Sequence, residues 1–168
     1  MHPALQKLNA RPGVPVTVLA APPEVESLLM AWAEDSDVRQ VLGADEQFVL
    51  GFVRSACDVA ALAQLVVPVL ASDAVFWLAY PKKSSKRYRS DLSQMHGWQP
   101  LGDLGFESVR QISIDGDWSA LRFRRAEHIA ALRRQSSMAM SDHGKERVAQ
   151  RRAEHGDPVR HRRHEGTI

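Results

Sequence analysis

The sequence predicts one doubly wound α/β domain that ends in an antiparallel hairpin and is followed by a basic tail. Short β-branched or aromatic runs alternate with helical periodicity over the first hundred residues. Two strand candidates joined by Asp115-Gly116-Asp117 close this patterned part. Beyond Ser136 the apolar pattern stops. We therefore expect a domain at 1–135 and a disordered, flexible basic tail at 136–168.

The first strand and the turn after it are predicted from a β-branched run at residues 15–20. Pro22-Pro23-Glu24 then favours a helix start, since proline fits the first helical turn and a carboxylate there suits the helix dipole. The turn, residues 20–23, contains no glycine. Nucleotide and S-adenosylmethionine sites of Rossmann folds usually need glycine here for close backbone approach. We expect no cofactor at this turn, which we interpret as a rigid joint.

The next strand candidates are residues 38–42 and 48–53. Only the five residues 43–47 join them, whereas a parallel crossover needs about a dozen or more. The two segments therefore cannot be sequential parallel neighbours. Residues 38–42 are expected to form either an antiparallel edge strand or connecting coil.

Residues 55–70 predict a helix whose last turn is bent by Pro68. Cys57, in the same segment, is expected to be a buried, inert thiol. Residues 74–80 are the strongest strand candidate because apolar side chains follow one another almost without interruption. Such a run predicts a central strand that is buried on both faces, with Trp77 inside.

The last third of the domain predicts a helix, the hairpin and a final short helix. Asp91 can cap a helix over 92–98, and Gln94 completes a capping-box pattern. Residues 109–114 and 118–123 are the two hairpin strands. Residues 128–134 predict the last helix. This order of elements looks like the class I methyltransferase variant of the Rossmann fold, a topological likeness that says little about activity.

Two stretches of the chain resemble a bacterial family. They are FWLAYPKKSSKRYRSDL at 76–92 and GFESVRQISIDGDWSALRFRRAE at 105–127. The family carries Trp-x-x-x-Pro-Lys-Lys-Ser-Ser-Lys and, later, Asp-x-x-Trp-Ser-x-Leu-x-Phe. On this pattern the chain, over most of 5–127, resembles the domain of unknown function 3052 family. The resemblance implies a Rossmann-like fold and brings no established activity, so it assigns no catalytic residue.

The loop that follows the central strand, residues 81–91, holds five cations and three serines. Open α/β sheets place ligand sites at the carboxyl ends of strands. Cations, hydroxyls and a following helix N-terminus are what a phosphate or carboxylate needs. A solvated basic loop is the alternative. The predicted anion-binding residues are Lys82, Lys83, Ser84, Ser85, Lys86, Arg87 and Arg89.

Charge is distributed unevenly along the chain. Up to Arg125 there are 13 basic and 14 acidic residues, and beyond it 9 basic and 6 acidic. The tail could therefore contact nucleic acid or an acidic partner nonspecifically. Its histidines, His155, His161 and His164, have no rigid ligand spacing, so we predict no metal site. Arg122 and Arg124 share one face of the last strand, where they either extend a basic surface or form a solvated strand edge.

Three functions remain after these exclusions. The first is a non-catalytic binding or regulatory domain with a small anionic ligand at 82–89. The second is an S-adenosylmethionine-dependent methyltransferase with an atypical cofactor site, and the third is an interaction module that uses the tail. The longest apolar stretch, residues 59–71, is too short to span a bilayer, and one cysteine allows no intrachain disulfide. We therefore expect a cytoplasmic protein.

Overall fold

The computed structural model describes residues 1–129. Their strands are β1 (Val16–Leu19), β2 (Val38–Arg39), β3 (Glu46–Phe52), β4 (Leu70–Pro81), β5 (Phe106–Ser113) and β6 (Trp118–Arg125). Their α-helices are α1 (Pro3–Lys7), α2 (Glu26–Ala33), α3 (Ala56–Val66) and α4 (Gln99–Asp103). Single 3₁₀ turns lie at Pro23–Val25, Val67–Val69 and Ala126–His128.

The strands form one sheet in the order β2-β1-β3-β4-β6-β5. The first four strands are parallel, β6 runs antiparallel to β4, and β5 runs antiparallel to β6. A Rossmann-like sheet with a reversed strand inserted beside its last parallel strand is of the methyltransferase type. The predicted fold class is therefore confirmed.

Two apolar layers cover the sheet, one on each face. The layer on the α3 side includes Phe76 and Leu78, and the layer on the α1 and α2 side includes Trp32 and Trp77. Trp77 is fully buried, and its indole N–H donates to the carbonyl of Leu8 at 2.8 Å. The prediction of a central strand buried on both faces is confirmed, because alternate residues of β4 enter opposite layers.

The short strand β2 corrects the sequence interpretation of residues 38–42. Val38 and Arg39 form a parallel edge strand that pairs with Val16 and Thr17 of β1, so the antiparallel alternative is wrong, whereas residues 40–42 are connecting coil. β2 and β3 flank β1, so they are not neighbours, and a connection of six residues suffices between them. Glu46 holds this connection, because its carboxylate accepts from the Thr17 hydroxyl at 2.8 Å and from the Gly43 N–H at 2.5 Å.

The helix predicted over 92–98 is wrong, since these residues are not helical and α4 begins only at Gln99. Ser90, rather than Asp91, organises the segment. Its hydroxyl accepts from the Leu92 N–H at 3.0 Å and donates to the Arg54 carbonyl at 2.6 Å. Gly97 has a φ of 99°, which an α-helix does not accommodate. Tertiary contacts thus override a local capping pattern.

The remaining elements follow the sequence closely. Strands at 15–20 and 48–53, the helix that begins after Ser55, and the closing hairpin are all confirmed. Ser55 caps α3 by accepting from the Asp58 N–H at 3.1 Å, and the helix gives way to a 3₁₀ turn that contains Pro68. Of the predicted helix 128–134, His128 lies in a 3₁₀ turn; residues from 130 onward, with the predicted tail, lie outside the described residues. In residues 1–129 no helix has the length and apolarity needed to span a membrane.

Candidate functional site

The candidate site lies where the winding of the sheet changes direction. From β1 the chain passes to β2 on one side and then returns to β3 on the other. Ligands of open α/β sheets bind outside the carboxyl ends of the strands at such a switch point. These carboxyl ends are Leu19 and Phe52. The crevice beyond them is therefore the primary place for a ligand in this fold.

The turn after β1 bends sharply without glycine. Ala20 has a φ of 54°, in the left-handed region, where a Cβ costs about 1 to 2 kcal/mol. Pro22 and Pro23 follow, and neither has an N–H to offer. The turn therefore presents a methyl group and two prolines where a cofactor-binding turn presents backbone donors.

Aromatic rings occupy the crevice beside this turn. Trp118, at the start of β6, is fully buried and meets the ring of Phe52 edge-on, with 5.0 Å between centroids. The ring of Tyr88, from the loop after β4, also lies 5.0 Å from Trp118. Its hydroxyl donates to Oε2 of Glu24 at 2.5 Å. This hydrogen bond attaches the loop after β4 to the 3₁₀ turn that precedes α2.

The contact between Tyr88 and Glu24 shifts the ionisation of both side chains. The hydrogen bond from Tyr88 is the main cause that lowers the pKa of Glu24, and a backbone N–H adds to it. Burial first, and then the bond to Glu24, raises the pKa of Tyr88. The guanidinium of Arg54 lies 5.2 Å from the centre of the Tyr88 ring, where a cation is attracted to the aromatic face. The closed arrangement thus favours an ionised Glu24 and a neutral Tyr88.

A pocket of about 340 Å³ remains between the β1 turn and α3. Phe52 and Trp118 contribute aromatic surface to it, and Arg54 and Asp58 contribute charge. Asp58 also accepts from the backbone N–H of Arg54 at 2.9 Å, which fixes the start of α3. The volume is within the range of small-molecule pockets.

The predicted anion-binding residues lie together in one loop, but several are turned toward groups of the protein itself. Lys82 Nζ donates to the Ser113 hydroxyl at 2.6 Å. The Ser85 hydroxyl donates to Asp117 at 2.8 Å and accepts from the N–H groups of the residues at 87 and 88. These bonds attach the loop to the β5–β6 hairpin.

Arg87 lies 3.9 Å from the carboxylates of both Glu24 and Asp117. The helix N-terminus expected beside Asp91 is absent, because residues 92–98 are not helical. That donor is therefore missing from the predicted site. Besides Arg87, four of the seven predicted residues are exposed: Lys83, Ser84, Lys86 and Arg89.

The sequence interpretation missed the groups that close the crevice. The sequence predicts only a helix start at Glu24, and Tyr88 is not among the predicted site residues. The prediction that Asp115 makes the turn is confirmed, since its carboxylate accepts from the N–H groups of Asp117 and Trp118 at 2.8 Å each. The sequence nevertheless contained one indication of the contact between the loop and the hairpin. The loop lies in one of the two family-like stretches, 76–92, and the hairpin lies in the other, 105–127.

Cys57 departs from expectation, since its side chain is exposed. It lies on the face of α3 opposite Val59, Ala63 and Val66, which are buried. The small apolar composition of the segment gave no indication of this orientation.

Comparison with known proteins gives similarity at the level of structure only. No protein-family model matches the chain, and no curated protein does. A protein from Sulfolobus solfataricus assigned as a type 11 methyltransferase matches with a TM-score of 0.48 and 8% identity, over 72% of this chain and 88% of that one. A protein of the NADB-Rossmann superfamily from Streptococcus agalactiae has a TM-score of 0.43 and 10% identity, over 74% and 68%.

A third solved structure, LepI in complex with SAM, matches with a TM-score of 0.44 and 14% identity, over 72% of this chain and 38% of LepI. At these identities the similarity concerns the course of the backbone and says nothing about the activity of this chain.

Proposed function

We propose that this chain is a non-catalytic binding or regulatory domain on a methyltransferase-type fold, and that it takes a small anionic ligand at loop 82–89. The observation that carries the proposal is the contact of Tyr88 with Glu24 and with the buried Trp118, which joins the loop after β4 to the turn after β1 at the switch-point crevice. A cofactor that spanned the crevice from the turn after β1 to the loop after β4 would have to displace this ring and break its hydrogen bond to a carboxylate. Membership of the resembled family is proposed on the sequence resemblance alone.

The turn after β1 supports the same conclusion. Its Cβ at Ala20 and its prolines at 22 and 23 disfavour close approach by the anionic or adenosyl portion of a cofactor. Binding of S-adenosylmethionine or a dinucleotide is therefore expected to be weak or undetectable.

The ligand side of the proposal rests on the exposed cations of the loop. Lys82 and Ser85 attach the loop to the hairpin, while Lys83, Lys86 and Arg89 face solvent with Ser84 between them. Glu24 and Asp117 partly neutralise the surface at Arg87. The lysines would act as point charges without support from a helix N-terminus, so binding is expected to depend strongly on salt.

Calorimetry at low ionic strength tests both parts. S-adenosylmethionine should give no micromolar binding, whereas inorganic phosphate or a sugar phosphate should bind. The double variant Lys83→Ala, Lys86→Ala should lose the part of the phosphate response that comes from the loop, so its total response should fall below that of the wild type while its melting temperature is kept. Lys7→Ala, which removes an exposed lysine from α1, is the matched control. Equal phosphate responses in the wild type, the double variant and Lys7→Ala would contradict the proposal and mean that loop 82–89 is only a solvated surface.

A second candidate, an S-adenosylmethionine-dependent methyltransferase, is favoured by the pocket of about 340 Å³ with its aromatic contribution from Phe52 and Trp118. Such a pocket suits a flat ring. Micromolar affinity for S-adenosylmethionine would replace the first proposal by this one. The third candidate, partner binding through the tail, depends on residues outside those the structure describes.

A further inference from the structure

A pair of arginines lies in the middle of the β5–β6 hairpin, away from the loop contact at its turn. Arg110 of β5 and Arg122 of β6 are directly opposed in the antiparallel register. Opposed residues project to the same face with Cβ atoms about 5 Å apart, and like charges in this position destabilise a sheet. Arg122 follows Trp118 and Ala120 by the two-residue period, so the pair projects to the face that α1 covers.

A β-bulge follows this pairing. The regular register that starts at the hairpin turn, with Ser113 opposite Ser119, ends at Arg110 and Arg122. Beyond it the register shifts, because Ser108 pairs with Phe123 and Val109 is the additional residue. Bulges often lie beside functional sites, where they redirect a side chain.

The segment after α1 adds a third arginine. The bond from Trp77 to the Leu8 carbonyl fixes this segment on the sheet. Asn9 then accepts from Nη1 of Arg110 at 2.9 Å. Arg11 and Arg122 line the same depression, whose volume is about 400 Å³. Two guanidinium groups therefore line one concave surface, and a third, that of Arg110, lies at its edge through the bond to Asn9.

The carboxylate beside this surface is already engaged. Asp73 accepts two hydrogen bonds from Nη2 of Arg124 and one from its Nε, at 2.9 to 3.2 Å. Among the described residues, Nε of Arg122 is buried and has no hydrogen-bond partner. Burial, and then the neighbouring charge of Arg124, lowers the pKa of Arg122; Asp73 acts in the opposite direction, and Arg110 and Arg11 act in the same direction as Arg124. A buried N–H without an acceptor beside several positive charges is unfavourable, and a bound anion would offset the excess of positive charge.

We propose that Arg11, Arg110 and Arg122 bind a tetrahedral oxyanion, either free inorganic phosphate or the phosphate group of a small metabolite. Guanidinium groups offer paired donors that match phosphate oxygens, and several of them around a concavity can neutralise its double charge. The site is separate from loop 82–89, because Arg122 pairs with Trp77 in the middle of β4 whereas the loop begins beyond its end. The inference does not depend on the proposed function.

Nuclear magnetic resonance of the arginine Nε–Hε groups tests the site directly. Inorganic phosphate is titrated against chloride at constant ionic strength. The Arg122 and Arg110 signals should shift with saturation, and that of Arg39, on the opposite edge strand, should not. Arg110→Gln should raise the phosphate Kd at least tenfold, while the control Arg39→Gln leaves it unchanged. An unmoved Arg122 signal, or the same Kd in both variants, would overturn the proposal.

Two further experiments distinguish free phosphate from a phosphorylated metabolite, and the arginine site from loop 82–89. If glycerol 3-phosphate binds more tightly than inorganic phosphate, the site is assigned to a phosphorylated metabolite. If the two bind equally, it is assigned to free phosphate. The Lys83→Ala, Lys86→Ala variant should keep the Arg122 response in full. Loss of the response in that variant would contradict a separate site. Arg110→Gln should also raise the melting temperature in phosphate-free buffer, because it removes the like-charge pair.

Discussion

The hydrogen bond between Tyr88 and Glu24 joins the loop after β4 to the turn after β1, and it makes this contact sensitive to pH. The pKa of Glu24 is lowered in the folded protein, so the bond contributes stability above the ordinary glutamate pKa and loses it as the pH falls through the lowered value. The pKa of Tyr88 is raised, so its contribution is present below the ordinary tyrosine pKa and is lost as the pH rises through the raised value.

The first prediction follows from this bond. Tyr88→Phe keeps the ring on Trp118 but removes the donor, so the pKa of Glu24 should rise toward its ordinary value. The variant should melt below the wild type at pH 7, and the difference should vanish at acid pH. Carboxyl chemical shifts followed through a pH titration give the pKa. The single variant Glu24→Gln and the double variant Tyr88→Phe, Glu24→Gln are the controls, because Tyr88→Phe should have little further effect once the carboxylate is removed. An unchanged Glu24 pKa in Tyr88→Phe would mean that the contact is absent in solution.

The second prediction concerns Ala20. Replacement by glycine relieves the left-handed φ, which costs an alanine about 1 to 2 kcal/mol, but it also adds freedom to the unfolded chain worth about 0.5 to 1 kcal/mol. Ala20→Gly should therefore stabilise the protein by roughly 0.5 to 1 kcal/mol in urea unfolding. Ala21→Gly, at a position without positive φ, should destabilise it. Destabilisation by both would show that Ala20 is not strained.

At the scale of elements, the sequence predicted those structures that depend on many residues with one periodicity. The run in β4 and the spacing of Val59, Ala63 and Val66 on α3 determine burial without reference to distant residues. The capping pattern at Asp91 and Gln94 was misleading because Ser90 bonds the backbone of Arg54, far away in sequence. The two-residue strand β2 was too short for any periodicity to fix its direction.

The third prediction tests the irregular segment that replaces the expected helix. Gly97 has a φ of 99°, and a Cβ there would overlap the side chain of Leu92, which is buried. Gly97→Ala should therefore destabilise the protein by about 1 to 3 kcal/mol. Gly116→Ala is the matched control, since its Cβ would meet no atom within 4 Å and its φ is not in the left-handed region. Equal effects of the two substitutions on the urea midpoint would contradict the geometry at Gly97.

At the scale of the molecule, the sequence located the basic loop but not its surroundings. A run such as Lys82 to Arg89 is visible in one dimension, whereas its attachment to Ser113 and Asp117 depends on the pairing of β4 with β6. The arginine pair shows the same limit. Arg110 and Arg122 are twelve positions apart, and the antiparallel pairing of β5 with β6 brings them face to face. Strand register therefore places a carboxylate beside the basic loop and two arginines opposite each other, and composition alone does not predict that register.

The fourth prediction concerns the chain beyond the domain. Residues 1–129 by themselves supply two apolar layers that bury both faces of β4, including Trp77 at 0% exposure. The sequence from 136 to 168 has few aliphatic residues and no periodicity with which to join either layer. A chain ending at residue 135 should therefore melt within about 2 °C of the full chain, a change that corresponds to well under 1 kcal/mol for a domain of this size. Differential scanning calorimetry of the two chains at several concentrations measures this and controls for association.

If the tail matters for binding alone, the truncated chain should have a lower affinity for nucleic acid, while its phosphate responses at loop 82–89 and at Arg122 persist. A loss of many degrees would mean that residues 136–168 pack on the domain, and the boundary at 135 would then be wrong.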